Sequence, residues 1–189
     1  MVTILLLVSA LAGLFSAAEG QDLRFGKCPT PPVQEDFDLT KFLGIWYEIE
    51  KIPAPFEKGN CVQVNYTAME NGNIKAINQL QKSDGSVRQT TSEIIRANLA
   101  EPAKMGVKYA SSPRVSPYWV LATDYETYAL VYSCSSILSL FHLDYAWILG
   151  RSPSLPLETI IYLKGILASN NISINKMTAT NQENCNSPM

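Results

Sequence analysis

The stretch KFLGIWYEIEKIP, residues 41–53, joins the alternation of a β-strand to two residues that an ordinary strand avoids. Gly44 and Trp46 stand two positions apart, and the residues from Tyr47 to Glu50 then alternate. Because successive side chains of a strand point to opposite faces, Gly44 and Trp46 share one face. Glycine within a strand often marks a place where another part of the chain approaches closely. The stretch therefore predicts a first strand whose leading residues have a special structural task.

Short extended segments separated by turn signals follow, at the spacing typical of an all-β barrel or sandwich. Residues 61–69 alternate and place Val64 and Tyr66 on one face. Asn71–Gly72 and Asp84–Gly85 are hairpin signals between alternating runs. Further strands are predicted at residues 74–82, 87–98, 104–110, 118–124, 128–134 and 144–150. Tight turns between consecutive strands indicate an antiparallel meander.

A helix interrupts this rhythm after Gly150. In residues 155–171, Pro156 in the first turn and Asn170 or Asn171 after the last turn fit the signals for a helix start and stop. The apolar stripe comprises Leu157, Ile160, Ile161, Lys164 and Ala168, widened by Leu163 and Leu167. A final short strand is predicted at residues 172–177.

These elements predict the architecture of the chain. An amphipathic helix must pack against another surface, and the outside of a barrel is the one available. Eight antiparallel strands that close on themselves leave an interior wide enough for one small ligand. The prediction is an all-β protein with one C-terminal helix. It is an eight-stranded antiparallel up-and-down β-barrel with the helix packed on its outside.

The N-terminal residues predict secretion. Residues 3–15 form an apolar run that small residues follow up to Gly20, as in a secretory signal peptide. A membrane anchor is the alternative, but a run of about 15 residues is short for a bilayer span. We expect a signal peptide over residues 1–20, a single domain over residues 21–189 and an extracellular location.

Charge and cysteine content exclude several classes of partner. With 17 acidic and 15 basic residues, the chain has no positive field to attract nucleic acid. Four cysteines in an oxidising compartment favour two disulfides, with three pairings open. Because these cysteines are far apart and His142 is the only histidine, no metal site is expected.

Asn65 and Asn171 begin N-x-[ST] sequons and are predicted glycosylation sites.

Three short motifs occur in order along the chain: Gly44-x-Trp46 at the head of the first strand, Thr123–Asp124–Tyr125 between the sixth and seventh, and Arg151 after the eighth. In this order and spacing they resemble the signature regions of the lipocalin family. The resemblance implies a barrel plugged at one end by Trp46, with Gly44 letting the backbone pass closely. It also implies that Arg151 lies over the indole, a cation–π contact worth about 0.5–2 kcal/mol.

The resemblance further implies one of the three cysteine pairings. Cys28 is expected to bond to Cys134, and Cys61 to Cys185. Each disulfide would tie one end of the chain to the barrel. Closing loops of this length stabilises a protein by up to about 4–5 kcal/mol in the chain-entropy model.

Family geometry implies that Trp147 faces the interior, and the period of two brings Tyr145 with it. Aromatic core packing is the alternative for these rings. The predicted ligand-binding residues are Val64, Tyr66, Asn78, Tyr109, Tyr118, Leu130, Tyr145 and Trp147, with Trp119 and Val131 as alternatives to Tyr118 and Leu130. The ligands implied by the resemblance are small and hydrophobic: arachidonic acid and other fatty acids, and progesterone-like steroids.

Apolar residues in two loops suggest a second surface. Both loops are expected at the open mouth of the barrel, where exposed apolar side chains favour contact with lipid. Lipoprotein particles or a membrane surface are the expected partners, and local packing over the entrance is the alternative. The predicted lipid-surface residues are Ile52, Phe56, Ile137, Leu138, Leu140 and Phe141.

Enzymatic activity is not expected. Some lipocalins catalyse isomerisations with a thiol in the barrel, but here disulfides use all four cysteines and leave no thiolate nucleophile. His142 and Asp144 share a strand face, yet no G-x-S-x-G elbow or pair of carboxylates accompanies them. No cofactor is expected. The alternative function is a protein–protein interaction module with a filled barrel and apolar binding loops.

Overall fold

The computed structural model describes residues 23–54, 57–96 and 99–185. The predicted signal peptide lies outside these ranges, as does Phe56 of the predicted lipid-surface loops. Within them the elements are β1 (Leu23–Phe25), α1 (Leu39–Phe42), β2 (Gly44–Lys51), β3 (Asn60–Ala68), β4 (Ile74–Gln81), β5 (Val87–Ile95), β6 (Lys104–Tyr109), β7 (Val115–Thr123), β8 (Tyr128–Ile137), β9 (Phe141–Gly150), α2 (Leu157–Ser169) and β10 (Thr178–Ala179).

Strands β2 to β9 form the predicted antiparallel barrel. Each strand pairs with the next along the chain, and β9 pairs back with β2 to close the ring. In the closing pair, Lys51 lies opposite Trp147. Gly72 and Gly85 have φ angles of +81° and +82°, which the two predicted hairpin turns require and glycine readily adopts. The eight-stranded barrel with one C-terminal helix is therefore confirmed.

Two apolar clusters lie on opposite faces of the barrel wall. Successive residues of β8 alternate between them, because neighbouring side chains of a strand point in opposite directions. The inner cluster fills one end of the barrel and includes Phe42, Trp46, Ile74, Ile94 and Val131. The outer cluster lies beneath α2 and includes Leu130, Tyr132, Ile148, Leu163 and Leu167.

The predicted helix is present, but part of its predicted stripe is wrong. Leu163 and Leu167 are fully buried and make the contact, whereas Leu157 and Ile161 are exposed. Lys164 Nζ lies 2.5 Å from Glu50 Oε2 on the barrel wall. Apolar residues occur on several faces of this helix, so spacing alone did not select the side that packs.

The predicted final strand at residues 172–177 is wrong. Ile172 is buried in the outer cluster, and the Met177 amide donates to the Ile174 carbonyl oxygen in a turn. Strand pairing begins only at β10, which lies beside the last residues of β2. The alternating isoleucines therefore anchor the chain after the helix instead of entering a sheet.

The segment after β10 fills a gap between β2 and β3. Within β2, pairing with β3 covers only the residues from Gly44 to Tyr47. Beyond them, the Thr180 amide donates to the Ile49 carbonyl oxygen (2.9 Å), and the Cys61 amide donates to the Asn181 carbonyl oxygen (2.8 Å). The C-terminal segment thus completes the wall of the barrel.

Two disulfides tie both chain ends to this barrel. Cys28–Cys134 joins the N-terminal segment to β8 across 106 residues. Cys61–Cys185 joins the C-terminal segment to β3 across 124 residues. This is the pairing that the resemblance implies, and loops of such length make the constraint on the unfolded chain large.

Both predicted glycosylation asparagines lie outside the lumen. Asn65 alternates with the inward-facing residues of β3 and is half-buried. Asn171 is exposed in the turn after α2.

Candidate ligand-binding site

The end of the barrel at the start of β2 is closed by aromatic side chains. Trp46 is fully buried, and its indole Nε1 donates a hydrogen bond to the Phe42 carbonyl oxygen (2.8 Å). The two rings are 5.3 Å apart between centroids. Phe42 belongs to α1, whose first turn is capped by the Asp38 carboxylate. The short helix therefore forms a floor beneath the indole.

Arg151 holds this closed end together. Its guanidinium carbon lies 3.8 Å from the centroid of the Trp46 indole. Nε donates to the Tyr125 carbonyl oxygen (2.9 Å), Nη1 to that of Ile45 (2.9 Å) and Nη2 to that of Lys41 (2.8 Å). All three nitrogens are hydrogen-bonded while the planar face covers the ring, a combination that the fork geometry of arginine permits.

The backbone conformation of Gly44 explains why glycine stands there. Its φ angle is +94°, in the region that favours glycine. A Cβ at this position would lie 3.4 Å from Arg151 Nη1, at the edge of ordinary van der Waals contact. The predicted reason, a close approach by the backbone, is therefore wrong.

The turn between β7 and β8 is held by its own side chains. Asp124 Oδ1 accepts a hydrogen bond from the Thr127 amide (2.8 Å). Thr123 Oγ1 accepts one from the Tyr125 amide (2.9 Å). The Tyr125 hydroxyl accepts one from the Asp38 amide (2.9 Å), which links the turn to the segment before α1. All three residues of this motif thus have structural partners.

A cavity lies above the plug and widens toward the other end, the mouth, where β2 and β8 end. The inner part has a volume of about 160 Å³ and adjoins a wider space of about 310 Å³. The two parts share Glu57, Val62, Asn78 and Tyr109 in their linings. Small-molecule pockets typically occupy about 300–1,000 Å³, so the lumen has room for one ligand.

Seven of the predicted ligand-binding residues line the inner cavity: Val64, Tyr66, Asn78, Tyr109, Tyr118, Tyr145 and Trp147. The prediction for Leu130 is wrong, because this residue is fully buried in the outer cluster beneath α2. Its alternative, Val131, belongs to the inner cluster. Both faces of β8 are covered by apolar groups, so hydrophobicity did not reveal which neighbour faces inward.

Two tyrosines form the polar base of the cavity. The hydroxyls of Tyr66 and Tyr118 are hydrogen-bonded to each other. Burial raises the pKa of both phenols, so both stay protonated at neutral pH. The hydroxyl that accepts in this bond keeps its own O–H for a further acceptor. The pair therefore offers a donor to a ligand carbonyl or hydroxyl.

Trp147 forms a flat part of the wall. Its indole Nε1 donates to Glu57 Oε2 (2.9 Å). Its ring stacks on Tyr145, with centroids 6.2 Å apart and an angle of 11° between the planes. The two contacts fix the orientation of the indole, whose flat apolar face suits a steroid ring or an unsaturated chain.

Two carboxylates of the cavity lining, Glu48 and Glu57, were missed by the sequence predictions. Lys51 Nζ lies 2.8 Å from Glu48 Oε1 and 3.6 Å from Glu57 Oε2. Burial, and secondly the charge of Glu57, raises the pKa of Glu48 to about 7. The period of two from Trp46 could have found Glu48, but Glu57 lies in a loop that gives no such signal.

A β-bulge explains how Lys51 joins these carboxylates. The pairing of β2 with β9 shifts register between Glu48 and Glu50. Glu50 then meets Lys164 of α2, while Lys51 meets Glu48. The following residue, Ile52, is only 3% exposed and packs in the outer cluster. Its prediction as a lipid-surface residue is therefore wrong.

The family model described as the lipocalin-like domain matches residues 37–182, which include every strand of the barrel. The chain belongs to the lipocalin family. It is a lipocalin that binds small hydrophobic ligands, and it is not an enzyme.

This lipocalin is similar to curated relatives over nearly its whole length. Apolipoprotein D of Oryctolagus cuniculus is 62% identical over 183 residues, covering 97% of this chain and 97% of that protein. Apolipoprotein D of Bos taurus is 60% identical over 185 residues, covering 98% of each. The solved structure of insecticyanin from Manduca sexta has a TM-score of 0.74 at 28% identity, over 88% of this chain and 93% of that one.

The β8–β9 hairpin of this lipocalin carries apolar side chains at the mouth. Leu138 is 85% exposed, and Ile137 and Leu140 are exposed as well. Phe141 is half-buried against Phe25, with ring centroids 5.7 Å apart in an edge contact. Phe25, which is 81% exposed, was missed because only the fold brings β1 beside β9.

His142 and Asp144, which share a strand face, both have structural partners in this lipocalin. His142 Nδ1 donates to the Gly26 carbonyl oxygen (3.0 Å), and Asp144 Oδ1 accepts from the Tyr132 hydroxyl (2.7 Å). Within the described ranges, no three His, Cys, Asp or Glu side chains come together as metal ligands. No helix in the same ranges has the length and apolar character needed to cross a bilayer.

Proposed function

We propose that this lipocalin is a secreted carrier that transports fatty acids, arachidonic acid among them, and progesterone-like steroids in its barrel. The observation that carries the proposal is the cavity above the Trp46 plug, open toward the mouth and lined by Trp147 and Tyr145. The similarity to apolipoprotein D over nearly the whole chain supports the same class of cargo.

The energetics of burial are sufficient for such a carrier. A ligand that buries ten to fifteen methylene equivalents gains about 8–12 kcal/mol, at about 0.8 kcal/mol each. Immobilising the ligand costs at least about 4 kcal/mol. The difference, at most about 4–8 kcal/mol, reaches micromolar affinity at its upper end without polar contacts, so the polar groups of the wall are available for selectivity.

The orientation of Trp147 makes ligand entry measurable by fluorescence. Delipidated protein is titrated with arachidonic acid, progesterone and retinol while tryptophan emission is recorded. We expect saturable quenching by the first two at micromolar or lower concentration, and loss of that quenching in a folded Trp147→Ala variant. Quenching by none of the three would instead favour the alternative, an interaction module whose apolar loops bind another protein.

We further propose that the mouth of the barrel associates with lipoprotein particles or membranes. Phe25, Leu138 and Leu140 expose apolar side chains on one side of the mouth, where a lipid surface would bury them. The curated relatives are apolipoproteins by name, and the same kind of surface is proposed for this chain. The proposal includes an extracellular location and glycans on Asn65 and Asn171.

A further inference from the structure

The charges around the lumen are unevenly distributed. Two carboxylates, Glu48 and Glu57, line the inner cavity, and no lysine or arginine of the described residues lines it. Lys51 lies behind them and is paired with both the buried Glu48 and the half-buried Glu57. Arg88 lines the wider space near the mouth, but it is exposed, so water and salt screen its charge.

One cation serves both carboxylates of this cluster. Lys51 Nζ is within 2.8 Å of Glu48 Oε1, and it also donates to the Glu57 main-chain carbonyl oxygen (2.9 Å). With both carboxylates ionised, the cluster carries a net negative charge. Glu57 is held at the cavity wall by the Trp147 indole, which donates to its Oε2. The Glu57 carboxylate and the Trp147 indole therefore lie in the same part of the cavity wall.

We propose that the Glu48–Lys51–Glu57 cluster determines ligand specificity, so that the lumen selects neutral ligands with a hydroxyl donor over carboxylate ligands of the same chain. The inference rests on the proposed carrier function and adds a charge preference to it. A carboxylate placed near Glu57 is repelled across a low-dielectric cavity, because the nearby cation, Lys51, is already paired with Glu48 and Glu57 and no lysine or arginine of the described residues lines the cavity. A ligand hydroxyl can instead donate a charge-assisted hydrogen bond to the Glu57 carboxylate.

The test compares three ligands with one hydrocarbon chain: arachidonyl alcohol, methyl arachidonate and arachidonic acid. The full chain, delipidated, is titrated with each by tryptophan quenching at about pH 8.5, where fatty acid and Glu48 are both ionised. We expect affinity to fall in the order alcohol, ester, acid. The acid should bind at least about tenfold more weakly than the alcohol, given the strength of like-charge repulsion in such a site.

A charge-neutralising variant tests whether the charge of the cluster, and not the rest of the lumen, causes the ligand preference. Glu57→Gln keeps an oxygen that can accept from the Trp147 indole but removes one negative charge. The ratio of alcohol to acid affinity should then fall to about threefold or less, because the remaining Glu48–Lys51 pair is neutral. Glu126→Gln is the matched control: this exposed turn residue lies at the closed end, and its loss should leave the ratio unchanged.

The outcomes distinguish the two proposals. Equal binding of acid and alcohol by the unaltered protein, or a ratio that Glu57→Gln leaves unchanged, overturns the charge preference while the carrier function stands. Binding of none of the three ligands overturns the carrier function, and the preference with it. If Glu57→Gln does not fold, Glu48→Gln removes one charge from the same cluster and is expected to lower the ratio in the same direction.

Discussion

The two ends of this barrel are built from similar residue types but use them differently. At the closed end, Trp46 is fully buried and Arg151 directs all three guanidinium nitrogens to main-chain carbonyl oxygens. At the open end, Trp147 faces a cavity, and its indole is held by a glutamate beside a buried lysine. The closed end satisfies every polar group of its motif internally, whereas the open end leaves rings and carboxylates facing space for a ligand. Stability and binding are thus separated along the barrel axis.

The same substitution at the two tryptophans gives the largest contrast. Trp46→Ala should lower the free energy of unfolding by about 3–5 kcal/mol, because it empties a fully packed site. Trp147→Ala should lower it by less than about 2 kcal/mol, because that ring already borders a cavity. Urea unfolding of both variants measures the difference, and equal losses would contradict the division between the two ends.

The buried glutamate of the open end should give the protein a pH-dependent stability. The folded pKa of Glu48, about 7, exceeds its ordinary value of 4.5, so folding favours the protonated form. Its contribution is fully present below about pH 4.5 and is lost as the pH rises through about 7, a change of about 3 kcal/mol. Glu48→Gln should remove this component from urea unfolding measured across the range. Glu126→Gln serves as the control, and parallel curves for Glu48→Gln and the unaltered protein would refute the expectation.

At the closed end, Arg151→Lys should have a moderate effect. A lysine keeps the charge but cannot direct three fixed N–H groups at three carbonyl oxygens while covering the indole. We expect a loss of about 1–2 kcal/mol in the free energy of unfolding, with ligand affinity unchanged. Arg114→Lys, in an exposed loop at the mouth, is the control and should change neither quantity. A drop in ligand affinity for Arg151→Lys would show that the two ends are coupled.

The exposed hairpin should contribute least to the fold and most to lipid contact. Leu138→Ser with Leu140→Ser should change the free energy of unfolding by no more than about 0.5 kcal/mol, because both side chains are exposed. Vesicle flotation should nevertheless show a reduced bound fraction, since about 1–2 kcal/mol of apolar burial is lost per side chain. Leu157→Ser with Ile161→Ser on the exposed face of α2 is the matched control. Equal flotation of hairpin variant and unaltered protein would argue against the hairpin as the lipid-contacting surface.

Local patterns predicted the elements well and the contacting faces less well. The turn glycines and the alternation of β3 to β9 identified the barrel, because each signal depends on residues that are neighbours in the chain. Leu130, Ile52 and the stripe of α2 were assigned to the wrong surface. For Leu130 and for α2, neighbouring apolar residues could each have filled the buried position, and the packing of the helix against the barrel decided between them. For Ile52, the bulge in β2 changed the face on which the residue lies.

The candidate site shows the same division. The strand alternation that includes Tyr145 and Trp147 predicted the aromatic wall of the cavity. The period of two that begins at Trp46 extends to Glu48. Lys51 and Ile52 could not be placed this way, because the bulge after Glu48 breaks the period. Phe25 and Glu57 reach the mouth from short or irregular segments, for which the sequence carries no periodic signal.

The sequence by itself determined the strand order, the hairpin turns, the presence of the C-terminal helix and the family motifs, since these follow from short-range conformational preferences. Only the tertiary structure decided that Gly44 is required for its backbone angle, that Leu130 lies beneath α2, and that Lys51 is shared by Glu48 and Glu57. These features depend on barrel closure, on the bulge in β2 and on the packing of α2 against the barrel. Leu130 and α2 are far apart in the chain, so no local preference reports their contact. Glu48, Lys51 and Glu57 are close in sequence, but the bulge breaks the strand period that would otherwise predict which way their side chains point.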